Sequence, residues 1–581
     1  MASRSREGSV MRMQIRIAAL FPMLAAAGVA LGTDARIELV ALPGTVRVRQ
    51  EGIVPGAETV EIEAARNEYV SFQVVLTALG GNVTTCMAEV SELRSEAGAV
   101  IAPESVVLFR EVFIPVRHSA PRATCPPGFI PDALVPFTNP YTGKPIGQPR
   151  WSGREIEGGL FGAGGFDVWE GRHQPLWVDV HVPTETPAGV YTGTFKAWTA
   201  EIAPVEMIVR LTVWDFALPD GPTHENHFGG FERVASYLGI DASGEVFSSI
   251  EDRYIAMMAE HRVNPPLPRR LSPEIAEDGT ALFDEALDTA ISDFVARYHV
   301  TNIQVPRAPF GDVLGTNRHK AMQFYRSWYA YLEGKGWTDG AYLYMLDEPN
   351  SVEEYETVRK LGALVAEAAP SLRRLVVEQP YPHKAEWGSL DEAIDIWCPL
   401  FGFVHEPSVQ RVQANGDAVW SYTALVQRAP AYHPEYQAVK EDDPPYWQLD
   451  FPLVSYRIAT WLNRRYGITG LLYWSTCYWG APKRNPWLDP GFRVRWNNDG
   501  ALFYPGQDAG IEGPVASMRL KNLRDGMEDY EYFTLLDARG GKEIVDAIMR
   551  EAVPTWGAWN QDPWGLLDLR RRVAEAIVAR N

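Results

Sequence analysis

Two adjacent carboxylates, Asp347 and Glu348, end the run Ala341-Tyr342-Leu343-Tyr344-Met345-Leu346-Asp347-Glu348-Pro349, and a pair of acids so placed makes glycoside cleavage the first chemistry to test. The run carries no charge before Asp347, which reads as a strand buried on both faces, and Pro349 stops it where the ladder must end. Acids at the C-terminal edge of such a strand suit a (β/α)8 TIM-type barrel, whose active sites lie at that edge. The bland alternative is an Asp-Glu-Pro turn capping a helix, since Asn350, Ser351, Glu353 and Glu354 make a good helix start.

Eight strand-like runs separated by helical stretches are available to position these acids: 227–231, 263–267, 302–306, 341–346, 374–378, 394–400, 418–423 and 468–475. Closed into a parallel barrel, they bring Glu378 and Gln379, Trp420 and Tyr422, and Trp474, Tyr478 and Trp479 to one pocket. Retaining glycosidases ordinarily need two carboxyl groups about 5–5.5 Å apart across the scissile bond. The strand Ala418-Val419-Trp420-Ser421-Tyr422-Thr423, where many barrel enzymes hold the nucleophile, has no acid. Asp347 and Glu348 leave one strand end in different directions, so they are poorly placed to flank the bond.

A sugar with a 2-acetamido group removes the difficulty, because its carbonyl oxygen can attack the anomeric carbon. Glu348 would then protonate the leaving oxygen and activate water, and Asp347 would orient the amide N–H. Tyr422 would meet the amide oxygen, and tryptophans would wall off the methyl. Glu378 is the rival: it would act as a protein nucleophile or bind a hydroxyl. A carbohydrate-binding protein without catalysis would keep the same aromatic pocket.

The 581 residues exceed one ordinary core and imply two or three domains. A formal charge of −20 without a basic block argues against nucleic acid as a partner, and 19 Trp and 24 Tyr suit a glycan substrate, whose apolar sugar faces stack on rings. Arg12 and Arg16 precede an apolar run from Ile17 to Leu31 and small residues at Ala30 and Gly32, an export signal over 1–32 cut before Thr33, with Met1 or Met11 as the start. The run is short and broken by Pro22, so cleavage is expected rather than stable membrane insertion, with a destination in the periplasm, at the cell surface or in the medium. Export permits disulfides, but Cys86, Cys125, Cys398 and Cys477 form no tight framework and no metal clasp, so buried free thiols are expected.

Short alternating runs such as Leu176-Trp177-Val178-Asp179-Val180-His181-Val182 predict an N-terminal β-sandwich over 33–218, with long loops across 121–171. Leu218-Pro219-Asp220-Gly221-Pro222 reads as a linker. A catalytic barrel is expected over 224–540 and a helical segment packed on it over 541–581. Neither metal nor cofactor is expected: His227, His383, His405 and His433 fall near predicted loops without ligand spacing, and Glu441-Asp442-Asp443 reads as a solvated turn. In Arg524-Asp525-Gly526-Met527-Glu528-Asp529-Tyr530 the charges suit surface pairs at a helix start.

Taken as a set, several stretches resemble bacterial glycoside hydrolase family 123. These are Asp347-Glu348-Pro349, Trp420-Ser421-Tyr422-Thr423, Gly470-Leu471-Leu472-Tyr473-Trp474 with Asp489-Pro490, and 517–532. In the N-terminal half, Pro131-Asp132-Ala133-Leu134-Val135-Pro136, Gln174 to Asp179, and Pro187-Ala188-Gly189-Val190-Tyr191 are also similar. The resemblance implies a β-sandwich before a (β/α)8 barrel and retaining, acetamido-assisted removal of β-linked N-acetylgalactosamine. It implies Asp347 as the orienting acid and Glu348 as the acid/base.

Overall fold

The computed structural model describes residues 35–151, 156–157, 159–382, 384–428, 443–479 and 484–581. The expected export signal and His383, His433, Glu441 and Asp442 lie outside them.

The N-terminal half forms two sheets from β1 (Arg36–Pro43), β2 (Val60–Arg66), β3 (Glu68–Leu79), β4 (Val83–Val90), β5 (Val106–Val116), β6 (Gly128–Pro136), β7 (His173–Val182), β8 (Gly189–Trp198) and β9 (Val205–Ala217). One sheet runs β1-β3-β7-β5-β6; the other is built on β4-β8-β9-β2 with three short strands at its margins. Along β9, Met207, Val209, Leu211 and Val213 are buried while Glu206 and Arg210 are exposed, the period of a strand with one wet face. These residues join Phe72, Val74 and Leu76 of β3 and Leu176 and Val178 of β7 in one hydrophobic cluster, so the two sheets share a core. The stretch 121–171, expected as loops, contains β6. Its prolines hid it: Pro131 and Pro136 give up ladder donors, which an outermost strand tolerates.

The second half is a parallel sheet of seven strands in the order β10-β16-β15-β14-β13-β12-β11. They are β10 (Glu225–Phe228), β11 (Ile303–Val305), β12 (Ala341–Asp347), β13 (Arg373–Val377), β14 (Ile396–Trp397), β15 (Ala418–Thr423) and β16 (Gly470–Tyr473). The eighth expected strand, 263–267, is not formed, because Pro265, Pro266 and the following Pro268 have no N–H to give. Asparagines bridge the gap instead. The Asn264 N–H donates to Asn226 Oδ1 at 2.8 Å, the Thr301 N–H to Asn264 Oδ1 at 2.9 Å, and Asn302 Nδ2 to the Asn226 carbonyl at 2.8 Å. Tyr342, Leu375, Ile396, Cys398, Trp420 and Tyr422 pack on the concave side of the sheet.

The helix Met518–Ala538 lies between the halves, and its charges are buried, not superficial as the sequence suggested. Arg524 Nη1 lies 3.0 Å and Lys521 Nζ 2.7 Å from Asp179 Oδ2 of β7. Asp529 takes Arg457 Nε at 2.7 Å, Arg570 Nε at 2.6 Å and the Trp461 indole N–H at 2.9 Å. Burial alone would push these carboxyls up, but the guanidiniums hold Asp529 below its ordinary value, and Arg524 with Lys521 holds Asp179 well below. Arg570 also pairs with Glu68 of β3, so one network ties the helix to both halves. All four cysteines are free thiols, three of them buried. No described helix is long and apolar enough to cross a membrane.

Candidate active site

The end of β12 aims the two acids. Its pairing with β13 slips between Tyr344 and Leu346, a bulge at Met345 that turns the last residues relative to the strand. Glu348 follows with φ of 41°, a left-handed conformation that a residue with a Cβ adopts only when its surroundings enforce it. Here the Glu348 N–H is held by the Val377 carbonyl at 3.2 Å, and its own carbonyl accepts from Asn350 Nδ2. The helix that follows, Val352–Ala368, is capped by Ser351, whose hydroxyl accepts from the Glu354 N–H at 3.1 Å, while Glu354 accepts from the Asn350 N–H. Capping is therefore met without either acid, which leaves Asp347 and Glu348 exposed to the cleft.

Each acid has its own tyrosine. The Tyr344 hydroxyl donates to Asp347 Oδ1 at 2.8 Å, and the Tyr422 hydroxyl, from β15, donates to Glu348 Oε1. Burial, reinforced by the adjacent carboxylates, raises both phenols far above their ordinary value, so they act here as donors. The cleft measures about 1320 Å³ and is lined by the acid pair, Tyr344, Tyr422, His227 and Trp474, among others. Trp474 sits over Gly500, where φ is 70° and a Cβ would come within 2.2 Å of the indole, so only glycine fits beneath the ring.

The structure brings Asp347, Glu348, Tyr422 and Trp474 together as expected. Trp420 and Trp479 do not join them. Strand alternation turns Trp420 to the same side as Tyr422 but one layer lower; it is fully buried, 5.1 Å from the Tyr342 ring and with its N–H 3.2 Å from Glu225 Oε2. Trp479 is buried as well, donating to the Phe503 carbonyl at 3.0 Å and packing on Tyr237 and Tyr254. Glu378 lies off the main cleft, in a side chamber of about 160 Å³ that Glu348 and Tyr422 also line. Burial lifts its pKa to about 8, with the Glu348 charge adding to the rise, and Gln379 Nε2 donates to its carboxyl oxygen.

Other cleft residues escaped the sequence reading. His227, the first residue of the expected strand 227–231, lies on β10 and faces the cleft; its Nδ1 is 2.7 Å from the Tyr342 hydroxyl, and burial lowers its pKa to about 4, so it is neutral. Asp499 is buried in the floor, lifted to about 6 by burial, and accepts from the Leu425 N–H at 3.2 Å and Gln448 Nε2 at 3.1 Å. Tyr344 had a legible signal, since it shares a strand face with Tyr342 and precedes Asp347 by three residues. Among the described residues no cluster of three His, Cys, Asp or Glu has the geometry of a metal site.

Residues 313–536 match the family model described as glycoside hydrolase 123, catalytic domain. Among solved structures, the chain is similar to a family 123 glycoside hydrolase from Clostridium perfringens studied for glycolipid glycan hydrolysis. The TM-score is 0.63 at 14% identity, over 94% of this chain and 97% of that one. That likeness shows a shared fold across both halves. A family 5 xyloglucanase from Bacteroides ovatus aligns with 81% of this chain and 98% of its own at 8% identity, but its TM-score of 0.27 carries no argument. No curated protein matches the sequence significantly.

Proposed function

We propose that the chain, whose residues 313–536 match the glycoside hydrolase family 123 catalytic domain, is a glycosidase that removes β-linked 2-acetamido sugars, N-acetylgalactosamine foremost, with retention by the substrate-assisted route. The observation that carries this reading is the adjacent acid pair with divided partners, Tyr344 on Asp347 and Tyr422 on Glu348. Glu348, facing the cleft on a constrained backbone, protonates the glycosidic oxygen as the acetamido carbonyl attacks the anomeric carbon. It then takes a proton from the water that opens the oxazolinium ion. Asp347, held by Tyr344, orients the amide N–H and balances the charge that develops on it. Tyr422, whose one O–H donates to Glu348 in the free protein, would turn that donor to the acetamido oxygen when the sugar binds, and Trp474 would supply an apolar wall for the sugar.

The rival in which Glu378 is a nucleophile is disfavoured, because a carboxyl with a pKa of about 8 is mostly protonated at neutral pH and lies in the side chamber. We read the two N-terminal sheets as a β-sandwich and the parallel sheet as a (β/α)8-type barrel with one strand replaced by asparagine bridges. The signal-like N-terminus supports export. A thiazoline analogue of N-acetylgalactosamine, which mimics the oxazolinium ion, tests the mechanism. Competitive inhibition far tighter than by the free sugar, with retention at the anomeric carbon by proton NMR, supports it; inversion, or inhibition no better than by the sugar, refutes it.

A further inference from the structure

Three arginines line the cleft without a salt bridge among the described residues, although the Arg269 charge is felt by Glu251, which lines the cleft together with Asp241 and Asp499. Arg269 follows the 263–267 segment, Arg307 follows β11, and Arg493 lies in the hairpin after β16. All three therefore project from the same sheet edge as Asp347 and Glu348. β10 pairs with β16 and is tied through Asn226, Asn264 and Asn302 to the 263–267 segment and the start of β11, so the segments that carry the three arginines follow one another around the cleft rim. A fourth, Arg270, is committed to Glu251 and Asp252. Arg49 and Arg110 donate to neutral oxygens, but in a chain with 74 acidic residues against 54 basic ones many guanidiniums find a carboxylate. Arg47, Arg373, Arg374, Arg457 and Arg570 all do. A neutral glycan offers hydroxyls and amides, which serve asparagine or glutamine equally well. A planar, permanently charged fork is matched by sulfate or carboxylate, which it binds through paired N–H donors.

We propose that the preferred substrate is an anionic glycan, with a sulfate ester or a uronate carboxylate on the unit beyond the acetamido sugar, held by Arg269, Arg307 and Arg493. The inference rests on the glycosidase reading and adds the substrate class. The acetamido sugar lies against Tyr422 and Trp474, and the charged unit lies along the arginine arc. Because these arginines are exposed, the preference falls as salt screens the attraction.

The test compares three disaccharides with terminal β-linked N-acetylgalactosamine on galactose, on glucuronate and on sulfated galactose. kcat/KM is measured at low and high ionic strength, for the native protein and for a variant with Arg269→Gln, Arg307→Gln and Arg493→Gln. One or both anionic substrates are expected to exceed the neutral one by on the order of tenfold at low salt, with the ratio falling to about one in the variant. Which substrate gains tells sulfate from uronate. A ratio of one in the native protein, or a preference unchanged in the variant, overturns the proposal. If none of the three is hydrolysed, the glycosidase reading of this sugar fails. Calorimetric binding of the same three to the Glu348→Gln protein then decides the anionic preference on the same ratio.

Discussion

Replacing Glu378 by Gln separates the two chemistries the cleft could perform. The buried carboxyl has a pKa of about 8 against an ordinary 4.5, so the folded protein keeps a proton that the unfolded chain releases over that interval. Between pH 4.5 and 8 the unfolded state therefore binds fewer protons, and stability falls as pH rises. At about 1.4 kcal/mol per unit, the ionised group costs on the order of 5 kcal/mol above pH 8. Glutamine fills the same space, can accept from Gln379 Nε2 and never ionises. Urea denaturation of native and Glu378→Gln proteins at pH 5, 7 and 9 should show the variant gaining several kcal/mol relative to the native protein by pH 9, with little difference at pH 5. Turnover of an acetamido glycoside at pH 7 should stay within a few-fold. A stability difference that does not change with pH would refute the buried neutral acid. Loss of a thousandfold or more in kcat with the fold intact would make Glu378 the nucleophile.

Tyr422→Phe removes the donor to Glu348 and should lower kcat by about 10- to 100-fold in steady-state assays, with little change in denaturation midpoint. Asp529→Asn removes the buried carboxylate that Arg457 and Arg570 share, leaving Arg457 only Asp525 at 3.5 Å and Arg570 only Glu68, and should destabilise by about 3 kcal/mol in urea denaturation, whatever the substrate. Gly500→Ala forces a Cβ into the Trp474 ring on a left-handed backbone, so KM should rise and tryptophan fluorescence should report a displaced indole.

Much of this was legible because strands buried on both faces announce themselves. The run 341–347 and its acid pair were placed by composition alone, and so was Tyr422, whose strand has no acid to confuse the choice. What escaped depended on contacts that period cannot express. Trp420 and Tyr422 share one face of β15, and sequence does not say which layer reaches the cleft. The segment 263–267 looked like a strand until its prolines were weighed as lost donors, and Asn226, Asn264 and Asn302 are too far apart in sequence to announce a bridge. The charges of 524–530 read as surface pairs because partners such as Asp179 for Arg524 and Arg262 for Glu528 lie hundreds of residues away. Asp499, Arg269, Arg307 and Arg493 sit in short connections without periodicity, and only the assembled cleft brings them together.

The most direct test of the central claim is the hydrolysis of aryl β-N-acetylgalactosaminide, β-N-acetylglucosaminide and plain β-galactoside by the purified protein, with Glu348→Gln as control. Turnover confined to the acetamido sugars and abolished in the variant is the predicted result; equal turnover of plain β-galactoside would contradict it.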